Sequence, residues 1–359
     1  MLVGAILVVG PNTSINDVSS CVPDTNECLA GVPTAAFEVL GESVLQRTIT
    51  RLQGDGIRDI TVIIDDSLSM LAAQLPTQSI EVGLVHRPID VWFAADRKFD
   101  EYIENGAEMV LVMRLGAHVA FDLNHLLQFH RAHGRLVTRA HDATGPLDFW
   151  VINAGPHVHN NSVWSGARIT ETSCVVPYQV TSYVNRLANA SDLRRLAVDS
   201  FLGHAGIRPN GIQVKAGVWV DDGAQVHRRA RLVAPAYIGR GVKVQSDALI
   251  TRCSSLERGC EVGYGTVVED ASVLAGTYLG TGLDVAHAIV FGRNLVHLRH
   301  KVLVEIDDPQ LLGATITAGL PAPRTGERPV PASDPDILDA PSHARQPAFV
   351  PSKLNAWAG

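Results

Sequence analysis

An aliphatic side chain recurs at every sixth position from Val214 to Leu274, and no other feature of this 359-residue chain limits its fold so tightly. The series runs Val214, Val220, Val226, Leu232, Ile238, Val244, Ile250, Leu256, Val262, Val268 and Leu274. Two positions before the later members stands a small residue, Ala224, Ala230, Ala236, Ala248, Ser254, Cys260, Thr266 or Ser272, with Val242 the one larger exception. Gly211, Gly217, Gly223, Gly241, Gly259 and Gly265 form a third column. A helix of period 3.6 would scatter such residues over every face. A triangular coil of short strands instead turns each aliphatic inward, and the small residues let the backbone corner tightly. Stacked turns then share one continuous core, and their ends and one edge need covering.

The residues before this repeat follow another rhythm. An apolar strand over residues 4–9 leads through a turn to a helix over 42–54 and a second strand over 60–64, a βαβ opening. A strand over 109–113, an amphipathic helix over 122–133 stopped by Gly134, and strands near 136–139 and 149–153 continue the alternation. Such an order predicts a mostly parallel sheet with helices on both faces. With 46% hydrophobic and 19% charged residues the chain has material for two ordinary domains.

A net charge of −7, with no run of Lys and Arg interleaved with aromatics, excludes nucleic acid as the expected partner. No stretch approaches the length of a membrane span, and the apolar start lacks the basic flank of a secretory signal. The five cysteines, Cys21, Cys28, Cys174, Cys253 and Cys260, lack paired metal-ligand spacing and read as reduced thiols of a cytoplasmic protein.

The repeat over about residues 206–300 resembles the left-handed β-helix of hexapeptide-repeat proteins, many of which trimerise, so a homo-oligomer is expected. In order of elements, the whole resembles the sugar-1-phosphate nucleotidyltransferases. The segment Phe37-Glu38-Val39-Leu40-Gly41-Glu42-Ser43-Val44-Leu45 is similar to the one that follows that family's catalytic lysine. The helix that begins Asp122-Leu123-Asn124-His125 is similar to the one after its metal aspartate, and residues 288–313 are similar to members found among polysaccharide-biosynthesis proteins. The likeness spans about residues 1–313. It implies an α/β fold: a Rossmann-like (GT-A-like) domain over 1–190, a connecting helix over 191–205 and a left-handed β-helix over 206–313, before a proline-rich tail over 314–359.

The resemblance also implies an activity, NTP plus sugar-1-phosphate giving NDP-sugar and pyrophosphate with Mg²⁺. That chemistry needs a glycine-rich phosphate loop, cations beside the α-phosphate, and two carboxylates for the metal. In the loop Val8-Val9-Gly10-Pro11-Asn12-Thr13-Ser14 only Gly10 and Thr13 match the family's pattern; Asn12 replaces a glycine and Ser14 stands at the catalytic arginine. Gly10, Asn12 and Thr13 remain the candidate nucleotide contacts. Thr34 falls at the catalytic lysine, Gly116 at the first metal aspartate and Arg186 at the second, and no Lys or Arg precedes Arg47. Losing one transition-state contact costs roughly a hundred- to thousandfold. The expectation is therefore a catalytically degraded homologue that binds a nucleotide or sugar nucleotide, or an active homologue, as a regulatory or scaffold subunit. An active nucleotidyltransferase with atypical site residues is one alternative.

Another class comes from the coil, because hexapeptide acyltransferases use a coil histidine as general base, and His227 and His287 are the candidates here. The coil carries no long inserted loop of the kind that covers an acyl donor. His157 and His159 alternate onto one face without a nearby acid or cysteine to complete a metal site, and the cluster at His297 and His300 reads the same way. Asp65 and Asp66 point to opposite faces of an extended segment, which favours helix capping over metal binding. Trp92, Trp150, Trp164 and Trp219 read as core or interface anchors.

Overall fold

The computed structural model describes residues 3–9, 28–29, 32–65, 75, 80–86, 90–154, 175–315 and 337–339. Gly10, Asn12, Thr13, Ser14, Asp66, His157, His159, Trp164, Cys21, Cys174 and nearly all of the proline-rich tail lie outside these residues.

The chain is mixed α/β. A seven-stranded sheet is built from β1 (Val3–Val9), β2 (Asp59–Asp65), β3 (Glu81–Val85), β4 (Met109–Arg114), β5 (Val137–Asp142), β6 (Gly145–Asn153) and β7 (Val175–Gln179). Its spatial order is β7-β5-β6-β4-β1-β2-β3. β1 pairs in parallel with β2 and β4, and β2 with β3, while β6 runs antiparallel between β4 and β5. β1 is buried along its whole length, as its run of aliphatics requires of a central strand.

Helices cover both faces. On one side α1 (Val44–Gly54) buries Val44, Leu45, Ile49 and Leu52. Ser43 caps it through a reciprocal capping box with Gln46. α3 (Leu123–His133) packs into the same core, capped by Asp122 at its start and ended by Gly134 at φ 57°. On the other side lies α2 (Asp90–Glu104), which buries Val91, Trp92, Ala95, Phe99 and Tyr102 against Ile6, Ile63 and Val112. Trp92 and Trp150 meet edge to face in that core, 6.4 Å apart, as anchors.

The repeat forms three faces of short parallel strands. One face stacks Val218–Val220, Ala236–Ile238, Ser254–Leu256, Ser272–Val273 and Ala288–Phe291. A second stacks Gln225–His227, Lys243–Val244, Glu261–Val262 and Thr277–Leu279, and the third Arg231–Leu232, Leu249–Thr251, Val267–Glu269 and Asp284–Ala286. Val220, Ile238, Val244, Ile250, Leu256, Val262 and Val268 are buried in one cluster, together with the small residues Ala224, Ala236, Ala248 and Cys260.

Two members of the series depart from the inward column. Val214 is exposed, because Ile212–Lys215 runs antiparallel to the first strand and caps the stack rather than joining its spiral. Leu274 is displaced by a shortened turn: Ile238 faces Leu256 eighteen positions on, but Leu256 faces Val273 seventeen on. Val273 takes the inward place, and Leu274 instead packs with the α/β core. Among the described tail residues, Ile337–Asp339 pairs antiparallel with Gln225–His227 of the coil.

Between the two parts lies α4 (Ala190–Phe201), capped by Asn189. Leu193, Leu196 and Ala197 share one core cluster with Leu40 of the α/β part and with Tyr237, Leu274 and Ile289 of the coil.

Candidate functional site

The C-terminal ends of β1 and β4 lie side by side, with Val8 opposite Arg114, and the backbone N–H of Leu115 continues the ladder by donating to the Val8 carbonyl at 2.9 Å. Gly116 follows directly. The short antiparallel pair of His118 with Asn185 then brings the segment after Gly116 alongside the one before Arg186. Thr34, buried in a single turn of 3₁₀ helix, donates its hydroxyl hydrogen bond to the carbonyl of Leu187. Three positions distant in sequence, Thr34, Gly116 and Arg186, thus converge on one corner; Ser14 lies outside the described residues.

The chemistry of that corner is guanidinium chemistry. Arg186 grips Asp142 with two bonds, Nε to Oδ2 at 2.9 Å and Nη2 to Oδ1 at 2.7 Å, and also donates to the carbonyls of Gly145 and Pro146. A bidentate fork of this kind is the strongest geometry available to such a pair. Asp142 also accepts from the backbone and hydroxyl of Thr144. Its carboxyl is held well below the usual range, first by the hydrogen bond from Arg186. Arg114 binds Asp148 through Nε at 2.6 Å, and Arg139 reaches the other oxygen of the same carboxylate at 3.3 Å while covering the Trp150 ring. A Cβ added at Gly116 would sit 3.2 Å from the Arg114 guanidinium.

These residues do not fit a Mg²⁺ ion. Gly116 supplies no ligand, and the positive charge of Arg186 opposes a cation at this corner. Among the described residues no three His, Cys, Asp or Glu side chains are grouped to hold a metal. Sequence spacing does not reveal Asp142, Asp148, Arg114 or Arg139 as neighbours, because the sheet order alone places β4, β6 and β5 together.

The coil histidines sit apart. His227 is buried at the end of its strand, where its Nδ1 accepts from the backbone N–H of Arg229 at 3.2 Å. His287 occupies a different corner, between Asp284–Ala286 and Ala288–Phe291, with its Nδ1 2.5 Å from Oδ2 of Asp270. Asp270 is shared, since Arg194 of α4 reaches its other oxygen at 2.8 Å. Burial opposes the charge on Asp270, but the Arg194 and His287 hydrogen bonds hold its carboxyl below the usual value. His297 and His300 stack on each other at 4.6 Å.

No protein-family model matches the chain, and no curated protein matches it either. No helix among the described residues is long and apolar enough to cross a membrane.

Proposed function

We propose that this protein is a sugar-1-phosphate nucleotidyltransferase homologue that has exchanged Mg²⁺-dependent transfer for metal-independent binding of a sugar nucleotide. In this reading a Rossmann-like domain over residues 1–190 precedes a left-handed β-helix over 206–313, and the protein acts in the cytoplasm as a regulatory or scaffold subunit. The observation that carries it is the bidentate pair of Arg186 with Asp142 at the corner where Thr34 and Gly116 also meet. An arginine held by Asp142 leaves this corner no free acid among its described residues for a divalent cation, and the neighbouring guanidiniums supply positive charge for a diphosphate. Guanidiniums outnumber carboxylates among Arg114, Arg139, Arg186, Asp142 and Asp148, so an anion is the favoured guest.

The test is a thermal-shift titration with nucleoside diphosphate sugars in Mg²⁺ and in EDTA, run beside an assay for pyrophosphate release. A ligand at a hundred times its Kd stabilises the fold by about 2.7 kcal/mol. The expected result is stabilisation that EDTA leaves unchanged and no pyrophosphate above background. Pyrophosphate release from any NTP and hexose-1-phosphate pair, or binding that needs Mg²⁺, overturns the reading.

A second reading is favoured by the short bond between His287 and Asp270, the pairing that orients a general base in acyl transfer. It predicts consumption of acetyl-CoA that disappears in His287→Ala. His227 lacks an acid partner among the described residues and is buried, so His227→Ala should leave any such activity in place.

A further inference from the structure

We propose that the cavity beside α1 is a binding site for a small monocarboxylate with a short apolar body. The cavity measures about 360 Å³ and lies between α1, the residues that follow β4, and the segment that leads from α4 into the coil. Arg47 and Arg51 line it from one face of α1, a single helical turn apart. Met113, Phe121 and Ile207 supply apolar wall, and His118 closes one side.

The two cations are poorly answered by acid. Arg47 donates to the carbonyls of Val39 and Leu40 at 2.9 and 3.2 Å; of its carboxyl neighbours, Glu42 stands 3.6 Å away and Glu257 lies buried behind it. Its Nε is buried without a partner. Arg51 donates to the carbonyls of Val119 and Phe121 and lies over the Phe121 ring at 4.9 Å; among the described residues it has no carboxylate partner. Glu257 is protonated at neutral pH, its pKa raised by burial to about 8, so two guanidiniums face one ionised acid and leave one positive charge in the recess. His118 adds no charge: burial first, then the fields of Arg47 and Arg51, depress its pKa, and its Nε2 lies 3.0 Å from the carbonyl of Ala205.

A single negative charge balances this recess. A guanidinium edge matches the two oxygens of a carboxylate, and the apolar walls reward a hydrocarbon body over a bare ion. The volume falls in the range of small-molecule sites. Because the cavity touches both the α/β part and the entry to the coil, an occupant would stiffen the seam between them. Its arginines are not those of the Arg186 corner, which it meets only at the His118 strand, and the proposal stands independently of the function proposed above.

The full-length protein would be titrated with acetate, butyrate and hexanoate, and separately with inorganic phosphate, at ionic strength matched with sodium chloride. Binding would be read by calorimetry and thermal shift. The expected result is saturable binding that tightens about fourfold per added methylene until the cavity is full. Arg51→Gln should weaken hexanoate at least tenfold. Thr50→Glu, which supplies a competing carboxylate from an exposed helix position while leaving both guanidiniums in place, should do the same. Absence of binding, affinity independent of chain length, phosphate binding tighter than hexanoate, or unchanged affinity in Thr50→Glu would each overturn the assignment.

Discussion

The charge that Arg186 carries at this partly enclosed corner must itself be neutralised. Arg186 finds that neutralisation in Asp142, and the sign of the linkage follows. Asp142 titrates lower in the folded chain than its ordinary 3.8, so its pairing stabilises the fold above that pH and is lost as pH falls through the folded value. Asp142→Asn should therefore cost roughly 1–2 kcal/mol in urea unfolding at pH 7, a modest figure because Arg186 is partly exposed. The gap from the unsubstituted protein should begin to narrow below pH 3.8. Paired acids should not create a metal site here: in the double variant Gly116→Asp and Arg186→Asp, the new residue at 116 lies against Arg114 and pairs with it. The expected outcome is a melting temperature that Mg²⁺ leaves unchanged. The sequence brought Thr34, Gly116 and Arg186 into one site only through the family resemblance, and the fold places them at one corner. The Arg114, Asp148 and Arg139 chain was not legible in the sequence, because β6 brings its members together across the sheet rather than along the chain.

At the scale of elements, the strongest periodic signals are met by the structure and the weaker ones depend on what packs against them. The inward aliphatic column from Val220 to Val268 follows the six-residue rule. The rule fails at Leu274 because a turn one residue shorter is invisible to a fixed period. α2 is missing from the expected order of elements, although Val91, Trp92, Ala95, Phe99 and Tyr102 recur at helical spacing. What the sequence hides most completely is the hairpin of Glu38–Val39 and Glu42–Ser43, whose turn residues Leu40 and Gly41 both have positive φ. Their N–H groups each donate to Glu257 of the coil at 3.0 Å. Gly41 sits at φ +98°, and a Cβ there would lie 2.4 Å from the Tyr237 hydroxyl. Gly41→Ala should therefore destabilise the protein by roughly 1–3 kcal/mol in chemical unfolding. Hydrogen exchange at Leu40 should quicken before the coil loses protection, since the strain falls on the docked turn.

The molecule as a whole is joined through that same carboxyl. Glu257 is fully enclosed, and burial first, then the neighbouring Glu38, pushes its pKa up to about 8. Around it stand the Glu38 and Arg258 ion pair, the half-buried Arg47 and the Tyr237 hydroxyl on Asp221, so the joint between α/β part and coil is polar at its centre. α4 adds a second tie, its buried Arg194 donating to the carbonyl of Cys253 at 2.8 Å and to Asp270. The linkage sign at Glu257 is opposite to that at Asp142. A carboxyl whose folded pKa exceeds its unfolded 4.5 binds its proton more tightly when folded. Its contribution is complete below pH 4.5 and is lost as pH rises through about 8. Over that window the group alone should lower stability by up to about 1.4 kcal/mol per pH unit. Glu257→Gln exchanges one acceptor for a donor against the Gly41 N–H and so lowers stability at every pH. The informative quantity is therefore the slope of unfolding free energy against pH between 5 and about 8. That slope should be shallower in the variant, and an equal slope in both proteins would mean that the joint does not titrate.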